Sequence, residues 1–197
     1  MGGNISTSEG SEADISRRIG LARGIVQSLS KIWASVEISK ATKVTVYETL
    51  VLNVLLYNSE TWTLKVTQQN RLKTFEMACL RRIEGVTRRD RIKNEEIRSR
   101  LGSRPDIITR IQQRRLRYFG HVCRMGRDRY PKIAMNGYVH GQRARGRPKK
   151  RWIDMIRGDC EAMGTTLHEA TRQSLDRGSW RRSIAELPMR VSTSPWQ

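Results

Sequence analysis

Three features of this 197-residue sequence predict an all-α fold. Apolar residues recur at intervals of three and four through most of the chain, as one face of a helix requires. No stretch alternates apolar and polar residues with the period of two that a half-buried strand shows. Ser, Asn and Gly stand at several of the points where these helical patterns start or stop.

Residues 1–11, mostly Gly, Ser, Thr and Glu, read as a flexible terminus. From Asp14 onward Ile15, Ile19, Ala22, Val26, Leu29 and Trp33 step by three and four along one helical stripe, with Arg17, Arg18, Arg23 and Lys31 off it. Ser39 is a fair N-cap for a second helix bearing Val44, Tyr47, Val51, Val54 and Leu55. Leu50, Leu52 and Leu56 make its second half apolar all round, so that half is expected at the centre of the N-terminal core.

Asn58–Thr63 breaks the pattern. Thr67 is then expected to cap a third helix in which Leu72, Phe75, Cys79, Ile83 and Val86 face inward. Asn94, two following carboxylates and Gly102 bracket a short helix over Glu95–Leu101. Ser103 and Asp106 resemble a capping box for a central helix. In that helix Ile107, Ile108, Ile111, Leu116, Phe119 and Val122 carry the apolar pattern, while Arg110, Arg114, Arg115, Arg117 and Arg124 load the remaining faces.

Residues 126–146 have no clear period and contain Pro131, Gly137, Gly141 and Gly146, so they read as a long loop ordered on a ligand. Trp152, Ile153, Ile156, Cys160 and Met163 suit an amphipathic helix. Leu167, Ala170, Leu175, Trp180, Ile184 and Leu187 suit one or two short ones, and residues 188–197 form a tail.

Charge narrows the function. The formal net charge is +19 at pH 7, far from that of a neutral soluble enzyme, and makes nucleic acid the default partner, with an anionic membrane surface second. Its distribution says more than its size. Residues 71–157 hold 26 Lys and Arg against 8 Asp and Glu, whereas residues 1–70 hold 7 against 6 and residues 158–197 hold 5 against 5. Most of the 26 are arginines, whose guanidinium forks onto phosphate oxygens and stacks on bases better than an ammonium does. A surface that only kept the protein soluble would mix the two signs.

Cys79, Cys123 and Cys160 are odd in number and widely spaced, which favours a reducing compartment without disulfides. Leu50–Tyr57 is the longest apolar run and falls well short of the roughly 20 residues a membrane span needs. Met1-Gly2-Gly3-Asn4-Ile5-Ser6 fits the short N-myristoylation pattern.

The run Gly141–Arg151 carries the sharpest motif. Arg145-Gly146-Arg147-Pro148 resembles the core of an AT-hook, in which glycine permits close approach and arginines enter the electronegative minor groove of A·T-rich DNA. The same cations would serve as a nonspecific phosphate strap or a nuclear import signal. His121, Cys123, His140, Cys160 and His168 match no zinc-ligand spacing, and the cysteines fall near apolar stripes where a buried thiol is the ordinary explanation. His121 and the tryptophans Trp33, Trp62, Trp152 and Trp180 are open between core and base-stacking roles, with helical phase favouring the core for Trp33 and Trp152. Two-metal nucleotidyl transfer needs converging carboxylates, and no Asp-Asp pair occurs; Asp154, Asp159 and Glu161 lie on or beside one helical stretch. No phosphate loop, nucleophile elbow or Cys–His pair is evident, so no catalytic site and no cofactor are expected.

Several blocks taken in order resemble the region downstream of the polymerase core in LINE-type (non-LTR) retrotransposon endonuclease/reverse transcriptases. They are Asp14-Ile15 with Arg18-Ile19 and Ala22, Ile32-Trp33, Leu55-Leu56-Tyr57-Asn58-Ser59-Glu60-Thr61-Trp62, Arg114 through Met125 with its Phe119-Gly120-His121-Val122 centre, Gly146-Arg147-Pro148-Lys149-Lys150-Arg151-Trp152, and Asp176-Arg177 followed by Trp180-Arg181. Asn58 stands where the family usually has glycine. Met1-Gly2 stands where it has the turn closing the palm, so the resemblance implies a truncated enzyme without its palm aspartates.

The resemblance further implies a thumb-like helical segment over residues 12–62, which in polymerases grips the template–primer duplex. Beyond it would lie a C-terminal region that helps bind template RNA and target DNA: a basic helical part over 63–125, a Gly/Arg-rich loop over 126–147 and C-terminal helices over 148–187. The expected phosphate contacts are Arg114, Arg115, Arg117, Arg124, Arg143, Arg145, Arg147, Lys149, Lys150 and Arg151. The expected partners are RNA or DNA and the remaining reverse transcriptase domains, in the nucleus or cytoplasm. The alternatives are a thumb acting in trans for an RNA-directed DNA polymerase and an AT-hook-like DNA binder.

Overall fold

All the regular structure in the computed structural model is helical among the described residues, which are 11–137 and 150–187. They fall into two compact units. One comprises the described residues up to Asn58 together with Leu64–Ile108, and the other comprises Ser59–Thr63 with those from Thr109 onward. No helix among them is long and apolar enough to cross a membrane.

The first unit begins with α1 (Glu12–Ser28), which buries Ile15, Ile19, Ala22 and Val26, the stripe that the spacing predicts. The stripe does not continue as one helix. The chain turns at Leu29 and restarts as α2 (Ser30–Ala34), and buried Trp33 donates its indole N–H to the Val26 carbonyl at 2.8 Å, satisfying one of the acceptors that a helix end leaves open. Arg18, expected off the stripe, is 2% exposed. Asp14 one turn earlier lies 3.5 Å from its Nε, and its guanidinium covers the Tyr57 ring at 4.3 Å.

Ser39 caps α3 (Lys40–Val46) as expected, its hydroxyl accepting the Thr42 N–H at 3.1 Å. A π-helical segment over Tyr47–Leu52 follows, and α4 (Asn53–Leu55) completes this run. The wider turn changes which side chains face inward. Leu52 and Leu56 are buried, but Leu50 is half exposed, which corrects the expectation of an apolar core on all sides. Asn58 has φ +63°, the left-handed region that Asn tolerates best after glycine, so the turn forms with asparagine at this position.

Helix α5 (Val66–Glu84) starts one residue before the expected cap, Thr67. Lys65 precedes it, and the Lys65 backbone N–H donates to the buried Gln68 side chain at 2.9 Å. Leu72, Phe75, Cys79, Leu80 and Ile83 face inward. Short α6 (Asn94–Arg100) buries Ile97. Ser103 belongs to the turn that closes α6, with φ +45° and its N–H on the Arg98 carbonyl, and does not cap the next helix. From α5, the Glu76 carboxylate accepts the Ile107 N–H at 3.2 Å and holds Arg98 at 2.5 Å.

Helix α7 (Ile107–Cys123) gives its first two residues to the first unit and the rest to the second. The second unit packs it with α8 (Tyr130–Asn136), α9 (Trp152–Ala162), α10 (Leu167–Gln173) and α11 (Arg177–Ala185). Helix α8 lies inside the stretch expected to be loop. Pro131 in its first turn removes a donor that would have had no partner there, and the Lys132 ammonium donates to the Cys123 carbonyl at the end of α7.

Leu116, Phe119, Cys123, Ile156, Cys160, Ala170, Trp180 and Ile184 form the core of this unit. Trp180 donates its indole N–H to the Leu116 carbonyl at 3.0 Å, and its ring lies so close to Gly120 that a Cβ there would overlap it. Trp62 and Trp180 are thus core residues, not stacking platforms.

Candidate nucleic-acid interface

The basic side of α7 is narrower than the list of its arginines suggests. Arg110, Arg114, Arg117, His121 and Arg124 follow one another by four, three, four and three residues, so they share one face over about 21 Å of helix at 1.5 Å per residue. Arg117 and His121 are exposed, and Arg110, Arg114 and Arg124 are partly buried. Burial lowers the Arg114 pKa from its ordinary value; nearby Glu60 opposes that effect, while the positive charges of Arg117 and Arg110 add to it.

Arg115 does not belong to that face. It is 2% exposed, and its Nε and Nη2 grip Asp159 of α9 at 2.5 and 2.8 Å, while Nη1 donates to the Trp62 carbonyl. Gln112 donates to the same carboxylate at 2.9 Å. A guanidinium so buried and already paired with a carboxylate is out of a phosphate's reach, which corrects its assignment as a contact. The sequence carries the signal: Arg115 lies four residues from Ile111 and Phe119 and seven from Ile108 and Val122, in apolar phase. Asp159 likewise falls between buried Ile156 and Cys160. Two opposite charges, each in the buried phase of its own helix, mark an internal pair.

Arg124 is at the end of the basic face but donates to the Ser174 carbonyl, which occupies part of its fork. Arg151 is exposed and bonds to Asp154, whose carboxylate it holds below the ordinary range. Lys150 is exposed. Arg143, Arg145, Arg147 and Lys149 lie outside the described residues, as do the AT-hook-like tetrapeptide, His140 and the N-terminal glycine.

Aromatic contacts bring the end of the basic run to α7. Trp152 meets Tyr118 edge to face with ring centroids 5.9 Å apart, and its indole N–H donates to the Glu60 carbonyl at 2.7 Å. Tyr118 in turn lies 6.4 Å from His121. Lys150 and Arg151, immediately before Trp152, are therefore tied to the turn of α7 that carries Arg114 and Arg117. The resulting site holds cations in a row with partly open rings beside them, a combination suited to phosphates and unstacked bases. The spacing of Arg110 and His121 from Arg114 and Arg117 was available in the sequence and marks both as further members.

The three cysteines are buried and free. Burial pushes the Cys79 and Cys160 thiols up to about 12. No cluster of His, Cys, Asp and Glu able to hold a metal ion occurs among the described residues.

No family model matches the chain, and no solved structure does. A curated transposon-derived protein of Caenorhabditis elegans is 28% identical over 149 residues, covering 72% of this chain and 53% of that protein. The chain thus spans about half the length of the curated relative it matches. The likeness is consistent with a transposon origin.

Proposed function

We propose that this chain binds nucleic acid, template RNA or target DNA, as the post-palm part of a non-LTR retrotransposon reverse transcriptase, and that it performs no chemistry by itself. The observation that carries the reading is the row Arg110, Arg114, Arg117 and Arg124 along one side of α7 and just past its end, with Arg117 exposed and the other three partly buried. Lys150 and Arg151 extend it through the Trp152–Tyr118 contact. The order of sequence blocks described above and the transposon-derived relative support the same reading.

Fluorescence anisotropy with labelled duplex DNA and single-stranded RNA tests it. Affinity is expected to fall steeply between about 50 and 200 mM salt, with a log–log slope of about −0.9 per neutralised phosphate on duplex and about −0.7 on single strands. A flat response overturns the proposal.

The Arg145-Gly146-Arg147-Pro148 tetrapeptide motivates a second reading, an A·T-directed minor-groove binder. Competition with A·T-rich and G·C-rich duplexes separates the two, because phosphate contacts alone show little preference. Primer extension with and without a separate palm domain tests action as a thumb in trans.

A further inference from the structure

The loop between α5 and α6 presents a second concentration of positive charge, on the first unit. Within Thr87–Lys93 stand Arg88, Arg89, Arg91 and Lys93, all exposed, and none of the four side chains has a hydrogen-bond or ion-pair partner among the described residues. Acidic neighbours are occupied elsewhere. Glu84 pairs with Lys40 and lies near Arg100, Glu96 pairs with Arg100, and Glu76 pairs with Arg98, which leaves Glu95 exposed. Asp90, the carboxylate within the loop, accepts the Thr87 N–H at 2.6 Å and the Thr87 hydroxyl at 3.0 Å, and those bonds hold it below the ordinary range. Its Oδ2 is held by Thr87, and the four cations around it face solvent.

The loop is also braced. Gly85, with φ +80°, ends α5 and turns the chain. Arg91 N–H donates to the Arg88 carbonyl and Arg89 N–H to the Thr87 hydroxyl, closing a tight turn. From α5, Arg81 donates to the Ile92 carbonyl at 3.0 Å and to the Asn94 side chain at 2.8 Å, which fixes the far end. A pre-organised cluster gives up less conformational entropy when it binds than a free basic tail does.

We infer that this loop is a second phosphate-binding surface, taking the sugar–phosphate backbone of the nucleic acid through Arg88, Arg89, Arg91 and Lys93. The inference rests on the nucleic-acid reading above and adds to it a contact on a different unit. Arginine outnumbers lysine three to one here, which suits forked contacts to phosphate oxygens. A membrane surface fits less well: binding there draws on large apolar side chains beside the basic ones, and the loop's apolar members, Val86 and Ile92, are half-buried.

The test compares the full chain with Arg88→Gln/Arg89→Gln/Arg91→Gln and with a control, Arg172→Gln/Arg177→Gln/Arg181→Gln, which removes the same charge from exposed positions of the other unit. On duplex DNA the loop variant is expected to flatten the log–log salt slope by about 2 to 3, at about 0.9 per phosphate, with a loss in affinity of roughly tenfold or more near 0.1 M salt. The control is expected to change the slope by less than about 1. Circular dichroism checks folding, and the single variants Arg88→Gln and Arg91→Gln, each expected to remove one phosphate's share, keep the test open if the triple variant unfolds.

An unchanged slope in folded loop variants, while the wild type binds, overturns this inference and leaves the wider reading standing. An equal loss in the control reduces it to net charge and also overturns it. Loss of binding only to phosphatidylserine vesicles assigns the loop to a membrane instead. A wild type that binds no nucleic acid removes both proposals together.

Discussion

Replacing Arg115 by methionine should damage the fold and leave the binding contacts intact, whereas replacing Arg117 by glutamine should do the reverse. Arg115 and Asp159 are 2% and 3% exposed and meet through two parallel bonds, with Gln112 and the Trp62 carbonyl completing the cluster. Removing the arginine strands a buried carboxylate, a change that costs about 3–5 kcal/mol in buried pairs. At about 2–4 °C per kcal/mol for a chain of this size, that is a fall in melting temperature of roughly 6–20 °C.

The double variant Arg115→Met/Asp159→Leu should recover much of the loss, since apolar replacement of a buried pair is often neutral. Recovery should fall short of complete, because the Gln112 amide and the Trp62 carbonyl lose partners at about 1–3 kcal/mol each if they stay dry. Arg117, exposed, should melt like the wild type after substitution, but its removal should flatten the duplex salt slope by about 0.9. Thermal melts by circular dichroism and anisotropy titrations read the two effects separately. If Arg115→Met melts like the wild type and flattens the slope by about one phosphate, Arg115 touches the ligand and the assignment of the two arginines is wrong.

Gly120→Ala places a methyl group against the Trp180 indole and should cost about 1–3 kcal/mol, read as a lower melting temperature and an altered Trp emission; an unchanged melt would show that the ring moves aside freely. The Cys79 and Cys160 thiols, pushed up to about 12, should resist a disulfide reagent in the folded protein near pH 8 and react once denatured. Prompt labelling of the native chain at both would contradict their burial. Glu169 accepts the Thr166 N–H and hydroxyl, which hold its carboxyl below the ordinary Glu range. Its contribution to α10 is therefore present at neutral pH and is lost as the pH falls through that lowered value. Glu169→Gln should remove this acid-dependent part, so identical acid melts of the two proteins would refute the assignment.

Much of the helical framework was legible because helix formation and amphipathic phase are written in residues three and four apart. The stripe of α1, the Ser39 cap, the inward face of α5 and the basic density of α7 all follow from such neighbours. Helix α8 was hidden by Pro131 and by the absence of an apolar stripe: none of its residues is fully buried, so its sequence lacks the pattern that burial imposes. The spacing of Ser103 to Asp106 fits a capping box, but a positive φ commits Ser103 to the turn closing α6.

The site was legible only in part for the same reason. Composition placed the arginines in the middle of the chain, and helical phase alone puts Arg110, Arg114, Arg117 and Arg124 on one face. The Arg88–Lys93 cluster was visible as sequence, though nothing local distinguished solvated cations from internally paired ones.

By itself the sequence determined that this is a helical, strongly cationic chain, since backbone periodicity and total charge depend on no distant partner. Helical phase turns Arg115 inward, and only the tertiary structure decided that it is paired there. That pairing turns on a carboxylate far along the chain, Asp159, 44 positions from Arg115. A guanidinium enters a core only where folding brings such an anion to meet it.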